Sequence, residues 1–264
     1  MKPGLQHLCA LPILPEHLRW RVLARLNRSA YRRYRVHGHD IFLNVSESPM
    51  MLARVLERYE PEKHAFIRGF LKPGMTFVDI GANKGDFALL AAGILGDRGR
   101  VLAIEPEPEN CRWIARSVAA NGFGSVELLQ AAVSDRTGEA TLHLSDRSGW
   151  HTLIAGHADR DRRRIMVRTL TLDDLVAEAP KIDLIKIDVE GAEESVVAGA
   201  GRTLARHRPT VLLDLHPSLG VDTEAIAARF ERMGYAMHAM HDSHRPLPAV
   251  PAEDTEVLLV PRRA

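Results

Sequence analysis

Cysteine is nearly absent from this chain of 264 residues: Cys9 and Cys111 are the only two. They lie far apart and match no metal or redox spacing, which predicts two reduced thiols and excludes a disulfide framework. A surplus of one charge sign is missing too. The formal net charge is +1, so no global field marks a nucleic-acid binder. No apolar run approaches a membrane span of about 20 residues, and the start has no signal-peptide core. A cytoplasmic setting without a transmembrane segment is therefore expected. Internal repeats and long low-complexity linkers are also lacking. What the chain does have is 45% hydrophobic content, enough to bury a full core in one domain. The expected division is a basic helical N-terminal extension over 1–54 and a main domain over 55–264. A homo-oligomer is left open.

The extension stands apart by composition. Between Glu16 and Asp40 it carries Arg19, Arg21, Arg25, Arg28, Arg32, Arg33 and Arg35 without an acid. Leu18, Val22, Leu23 and Leu26 fall at helical spacing, which predicts an amphipathic basic helix docked on the domain. Glu47 to Arg68 reads as helical cover over a crevice mouth, with Pro61 at a helix start. From Met75 onward, apolar strands and helices alternate regularly, the pattern of a doubly wound parallel sheet. Strands are expected at Thr76–Ile80, Val101–Glu105, Val126–Leu129, Leu184–Asp188 and Val211–Leu215. The pair Tyr235–Met240 and Thr255–Val260 closes the sheet. Residues 131–170 interrupt the alternation with two β-like pieces around a polar loop at 145–164, where substrate recognition is expected.

Three acids punctuate the strand ends: Asp79 in Val78-Asp79-Ile80-Gly81-Ala82-Asn83-Lys84-Gly85, Glu105 in Ile104-Glu105-Pro106, and Asp188 in Lys186-Ile187-Asp188-Val189-Glu190-Gly191. A glycine turn after the first strand lets backbone approach a ligand. An acid about 20 residues later, closing the next strand, suits the two hydroxyls of a ribose. Asn83 and Asp86 stand where the second and third pyrophosphate glycines of a dinucleotide site belong, which disfavours a nicotinamide cofactor. Carboxylates here match a cation or an ammonium instead. S-adenosylmethionine offers an ammonium, a sulfonium and a ribose together.

These motifs, with Tyr59-Glu60-Pro61-Glu62, Leu71-Lys72-Pro73-Gly74, the run 104–110, Thr171-Leu172-Asp173-Asp174-Leu175 and the run 185–194, resemble the FkbM family over roughly residues 55–260. The resemblance implies S-adenosylmethionine-dependent methyl transfer, mostly to oxygen, on a mostly parallel seven-stranded, Rossmann-like class I methyltransferase fold. It implies no single substrate: hydroxyls of sugars, polyketides and other secondary metabolites all serve in related enzymes. One departure stands out. The strand that ends in glutamate in many relatives here reads Leu213-Asp214-Leu215-His216.

The expected cofactor-binding set is Asp79, Gly81, Asn83, Glu105, Gln130 and Asp188, with Gln130 at the adenine edge and Glu60 near the methionine end. The expected catalytic residues are His216 and Asp188. An imidazole has the better ordinary pKa for a base near neutrality. Glu190 and Glu193 lie on one side of a helix start, where acids also favour the dipole. No metal is assigned, although Asp188, Glu190, Glu193, Asp214 and His216 form the set a magnesium ion would use. His151 is a candidate substrate contact or an exposed loop residue. The expected acceptor is a small-molecule or glycan hydroxyl. Rival readings are an RNA methyltransferase and a non-catalytic S-adenosylmethionine-binding module. The RNA reading lacks an Asn-Pro-Pro-aromatic loop at Asp188-Val189-Glu190-Gly191.

Overall fold

The computed structural model describes residues 20–21, 30–145, 151–153, 163–240, 242–247, 249–250 and 252–262. Within them the chain opens on a hairpin, β1 (Arg32–Val36) and β2 (His39–Leu43), followed by α1 (Pro49–Val55) and α2 (Pro61–Phe70). Pro61 occupies the first turn of α2. Next come β3 (Thr76–Ile80), α3 (Asp86–Leu95), β4 (Arg100–Ile104), α4 (Pro108–Asn121) and β5 (Val126–Leu129). The insertion forms a separate three-stranded sheet from β6 (Ala132–Val133), β7 (Gly138–Leu144) and β8 (Arg163–Leu170). After α5 (Leu172–Leu175) follow β9 (Leu184–Ile187), α6 (Glu193–Ala198), α7 (Gly201–His207), β10 (Thr210–Leu215), α8 (Thr223–Arg232), β11 (Tyr235–Ala239), β12 (Asp242–Pro246) and β13 (Thr255–Pro261).

The main sheet runs β12-β11-β13-β10-β9-β3-β4-β5. Neighbours from β10 through β5 are parallel, and β13 enters antiparallel between β10 and β11. Seven strands form the expected array, and β12 adds an edge that the sequence reading did not separate from its loop. The parallel strands read as continuous apolar runs because both faces are covered. Side chains alternate between two cores. Phe77, Val101, Ala103, Leu184 and Leu212 pack with α2, α3 and α4. Val78, Ile80, Leu102, Ile104, Ile185 and Ile187 pack with α6, α7 and α8. This double winding carries the C-terminal ends of β3, β4, β9 and β10 to one rim.

Two expectations need correction. The basic segment was expected to be helical through Asp40, yet Arg32, Arg33 and Arg35 lie on β1. There the periodicity changes from helical to two: Tyr34 and Val36 are buried while the arginines between them are exposed. His37 and Gly38 both take positive φ (50° and 83°), the two-residue turn that suits a hairpin. Trp20 and Arg21 are helical; Cys9, Arg19, Arg25, Arg28, Trp150 and most of the polar loop lie outside the described residues.

The boundary after residue 54 also fails, because it cuts α1. Met51, Leu52 and Val55 share one cluster with Tyr34, Ile41, Leu43 and Leu89. Leu89 belongs to α3, whose residues from Asp86 to Ala92 are all buried. A helix buried on every side needs cover on its outer face. The hairpin and α1 supply it, so residues 30–55 are part of the main domain. Among the described residues, no helix is long and apolar enough to cross a membrane.

Candidate active site

A cavity lies at the rim, walled by the turn after β3 (Gly81, Asn83), the end of β4 (Glu105, Pro106), Ala131–Val133, and the β9 end with Asp188 and Glu190. Open α/β sheets place ligands at this edge. His151 and Leu153 from the insertion form its far wall.

The turn after β3 is built by backbone. Gly81 and Ala82 N–H both donate to the Ile104 carbonyl at 3.0 Å. Gly81 has φ +76°, and a Cβ there would sit 1.9 Å from the Asp188 carbonyl oxygen. Only glycine lets the β3 turn and the β9 end close against each other. Asn83 also has positive φ (51°), a conformation asparagine tolerates. Its backbone N–H donates to Glu105 Oε2 at 2.8 Å. The other Glu105 oxygen accepts from Glu107 N–H at 2.9 Å and from Asn110 Nδ2 at 3.3 Å. Glu105 is 4% exposed. Burial pushes its pKa up to about 7 against those hydrogen bonds. The carboxylate is thus fixed, with one acceptor position left open on Oε2.

Asp79 stands behind this wall rather than in it. It is fully buried, its oxygens accept no hydrogen bond, and it lies 3.4 Å from Lys186. Burial raises its pKa and Lys186 opposes the rise. Lys186, itself 2% exposed, also reaches Asp188 at 3.5 Å and donates to the Gly81 carbonyl at 3.2 Å. One buried ammonium therefore ties the ends of β3 and β9 together. Burial would raise the pKa of Asp188, but Lys186, Lys63 and His216 hold it below the usual carboxylate range.

His216 lies next to the cavity without lining it. Its Nδ1 is 2.6 Å from Glu193 Oε1, and its Nε2 is 3.8 Å from Glu190 Oε2. Burial alone would lower its pKa, yet Glu193, Glu190 and Asp188 carry it up to about 9. At neutral pH it is an imidazolium, not the free base its ordinary pKa suggested. Glu193, 0% exposed, closes this contact and also accepts from Gly191 N–H at 3.0 Å. Asp188, Glu190 and His216 bring their side-chain atoms within 4.8 Å of one another, and the imidazolium already places a positive charge among them. Glu60, Asp214 and Glu256 form a second acidic group, with the Lys63 ammonium in its centre at 2.8, 2.5 and 3.2 Å.

Gln130 is the expectation that the geometry does not support: it is exposed, and Ala131, Ala132 and Val133 line the cavity in its place. The strand ends at Leu129, so the chain has already turned before it reaches the cavity wall. Glu60 meets Lys63 rather than the cavity. His151 faces the cavity, accepts from Ser145 N–H at 3.1 Å, and burial pushes its pKa down to about 4. Sequence reasoning missed Lys63, Lys186 and Lys84. Lys84 is buried and binds Tyr31 Oη and Asn110 Oδ1, both at 2.8 Å, and Glu47 at 2.9 Å. A lysine inside the otherwise apolar strand Leu184–Ile187, with Asp188 two positions on, was a legible signal. Lys63, on an amphipathic helix, gave none.

Comparison with known proteins agrees with this geometry. The family model for the methyltransferase FkbM domain matches residues 79–237, more than half of the chain. The 2-O-methyltransferase NoeI of Sinorhizobium fredii is 32% identical over 156 residues, 52% of this chain and 62% of that protein. The hexuronic acid methyltransferase AglP of Haloferax volcanii is 26% identical over 56% of this chain and 58% of its own length. The chain thus spans less than two thirds of these curated relatives. A crystal structure of the FkbM methyltransferase from Methylobacillus flagellatus covers 92% of this chain and 60% of its own, with TM-score 0.48 and 16% identity. The chain belongs to the FkbM methyltransferases, which take their methyl group from S-adenosylmethionine.

Proposed function

We propose that this enzyme is an O-methyltransferase whose acceptor is a hydroxyl of a sugar, glycolipid or secondary metabolite. The observation that carries this reading is the pair Asp188 and Glu190 lining the cavity, with His216 next to Glu190. A hydroxyl must lose its proton as the new bond forms, so hydroxyl methylation needs an acceptor at that point. S-adenosylmethionine supplies a methyl group already activated by its positive sulfur.

The residues divide the remaining work. Glu105 accepts from a ribose hydroxyl, with Asn83, Glu107 and Asn110 holding its carboxylate in place. Asp188, ionised by Lys186, faces the positive end of the cofactor and anchors the catalytic rim together with His216. Asp79 acts through Lys186. Ala131–Val133, Leu142 and Leu153 exclude water from the apolar side of the cavity. By name, one relative is a 2-O-methyltransferase, which supports an oxygen acceptor, and another is a hexuronic acid methyltransferase, which supports a sugar acceptor. The acidic rim disfavours an RNA acceptor, since it repels phosphate. A cofactor made inside cells supports a cytoplasmic setting.

The test is incubation with methyl-labelled S-adenosylmethionine and a panel of glycosides and cell extracts, with mass spectrometry of the products. Label on a hydroxyl oxygen is expected. Label on nitrogen or carbon, or on RNA alone, would refute the reading.

A further inference from the structure

Glu190 is a side-chain-bearing residue in a conformation that favours glycine. Its φ is +51°, and Gly191 follows at +100°. Such a residue persists only where its surroundings fix it, and cases of this kind gather at functional sites. Here Thr152 Oγ1 donates to the Glu190 carbonyl at 2.6 Å. The next peptide is pinned from the other side by Gly191 N–H donating to Glu193 Oε1 at 3.0 Å.

This double tether turns the Glu190 side chain toward the cavity, which it lines beside Asp188. The two acids are not equivalent. Asp188 is engaged by Lys186 at 3.5 Å. Among the described residues, the nearest cation to Glu190 is His216 Nε2 at 3.8 Å, beyond hydrogen-bond reach, so its carboxylate stays available. His216 is in turn held by Glu193 through Nδ1.

We propose that Glu190 takes the proton of the acceptor hydroxyl and that His216 is a positioning residue keeping its carboxylate charged and aimed. The inference rests on the reading of hydroxyl methylation above. In the step, a lone pair of the hydroxyl oxygen forms the bond to the methyl carbon. The carbon–sulfur bond breaks and its electron pair stays on sulfur, leaving a neutral thioether. The hydroxyl proton passes to Glu190, which becomes the neutral acid and later returns that proton to water. One negative and one positive charge thus disappear together inside a cavity with an apolar wall. Discharge of that kind is favoured where the dielectric is low.

The groups facing Glu190 are Asp188 at the end of β9, Glu193 at the start of α6, His216 after β10 and Asp254 before β13. Burial and Asp188 push Glu190 up to about 7 while His216 opposes them. A proton acceptor works best when its pKa lies near the working pH.

The first test needs no acceptor. S-adenosylmethionine and S-adenosylhomocysteine share the ribose, adenine and amino-acid ends and differ in charge at sulfur. The ratio of their dissociation constants therefore cancels pH effects at Glu105 and isolates a charge facing the sulfur. By calorimetry, the preference for the sulfonium should rise several-fold from pH 6 to pH 8 in the wild type and stay flat in Glu190→Gln. In the second test, with the acceptor identified by methyl labelling, Glu190→Gln should lower kcat by about 10²–10⁴-fold. Affinity for S-adenosylhomocysteine should remain within about twofold of wild type, and Glu190→Asp should recover part of the rate. A pH-independent ratio in the wild type, or full turnover in Glu190→Gln, overturns the assignment. So does activity abolished by chelator and restored by magnesium, which would give the carboxylate to a cation. A failure of the hydroxyl reading shows elsewhere, in which atom of the product carries the label.

Discussion

Removing the Lys63 ammonium should destabilise the enzyme in a strongly pH-dependent way. Lys63 is 0% exposed and joins α2 to three acids: Asp214, Glu60 and Glu256, with side chains 11%, 17% and 34% exposed. Lys63→Met keeps an unbranched apolar stem and deletes only the charge. Taking one partner from a buried ion pair costs about 3–5 kcal/mol, since the other charge is left uncompensated. Glu256, a third exposed, rehydrates and adds little. Asp214 dominates, because burial, with Asp188 and Glu60, already raises its pKa while Lys63 opposes the rise.

The sign of the pH effect follows. The pKa of Lys63 in the fold lies well above its ordinary 10.5, despite burial, because Asp214 and Glu60 hold the proton. Its contribution is complete below the unfolded value and is lost only as pH rises through the folded one. Between pH 5.5 and 8.5 Lys63 itself therefore stays charged in the wild type. In Lys63→Met the acids are pushed further up and take protons as pH falls, which relieves the variant. Urea unfolding followed by circular dichroism should show a loss of about 3 kcal/mol or more at pH 8.5, shrinking to about half at pH 5.5. A loss that is equal at both pH values, or below about 1 kcal/mol at pH 8.5, would refute the reasoning.

Glu105→Ala should weaken S-adenosylhomocysteine binding by about 1.5–3 kcal/mol, the worth of one charge-assisted hydrogen bond; unchanged affinity by calorimetry would sink the ribose assignment. Because Glu105 titrates near 7, wild-type affinity for S-adenosylhomocysteine should fall as pH drops from 8 to 6, and Glu105→Gln should abolish that dependence. Gly81→Ala drives a methyl group against the Asp188 carbonyl, so it should lower both the melting temperature and cofactor affinity; a neutral variant would show that the turn relaxes freely. His216→Ala removes the cation facing Glu190, so the acid limb of the pH–rate profile should move upward; a limb that stays in place while turnover falls would leave His216 without the positioning role.

The sheet was legible because its strands are short, apolar and regularly spaced. Thr76–Ile80 and Val126–Leu129 match the structure residue for residue. The helix expected from Ala192 to about Ala205 splits at Gly199 and Ala200 into α6 and α7. A Cβ at Gly199 would lie 2.0 Å from the Ser134 carbonyl oxygen, a contact made with a distant segment and therefore invisible in local periodicity. The hairpin was missed for a related reason. Its arginines continue a helical-looking composition, and only the alternation of Tyr34 and Val36, with the His37–Gly38 turn, marks the change.

The acids of the site were legible and its cations were not, and the asymmetry has a physical origin. Carboxylates at strand ends repeat the strand period, so Asp79, Glu105 and Asp188 announce their places along the chain. Their partners arrive from elsewhere in the sequence: Lys63 reaches Asp214 across 151 positions. Lysine has a long flexible stem that lets its ammonium travel far from its backbone, which erases any local register between the two. The charge state of the rim therefore cannot be read from the acids alone. His216 shows the consequence. Its sequence position suggests a neutral base, whereas Glu193, 23 positions away and fully buried, makes it a cation. Once His216 is charged, the proton of the acceptor hydroxyl needs another destination. Among the described residues, Glu105 is committed to backbone and amide donors and Asp188 to Lys186, which leaves Glu190 as the cavity-wall carboxylate without such a partner.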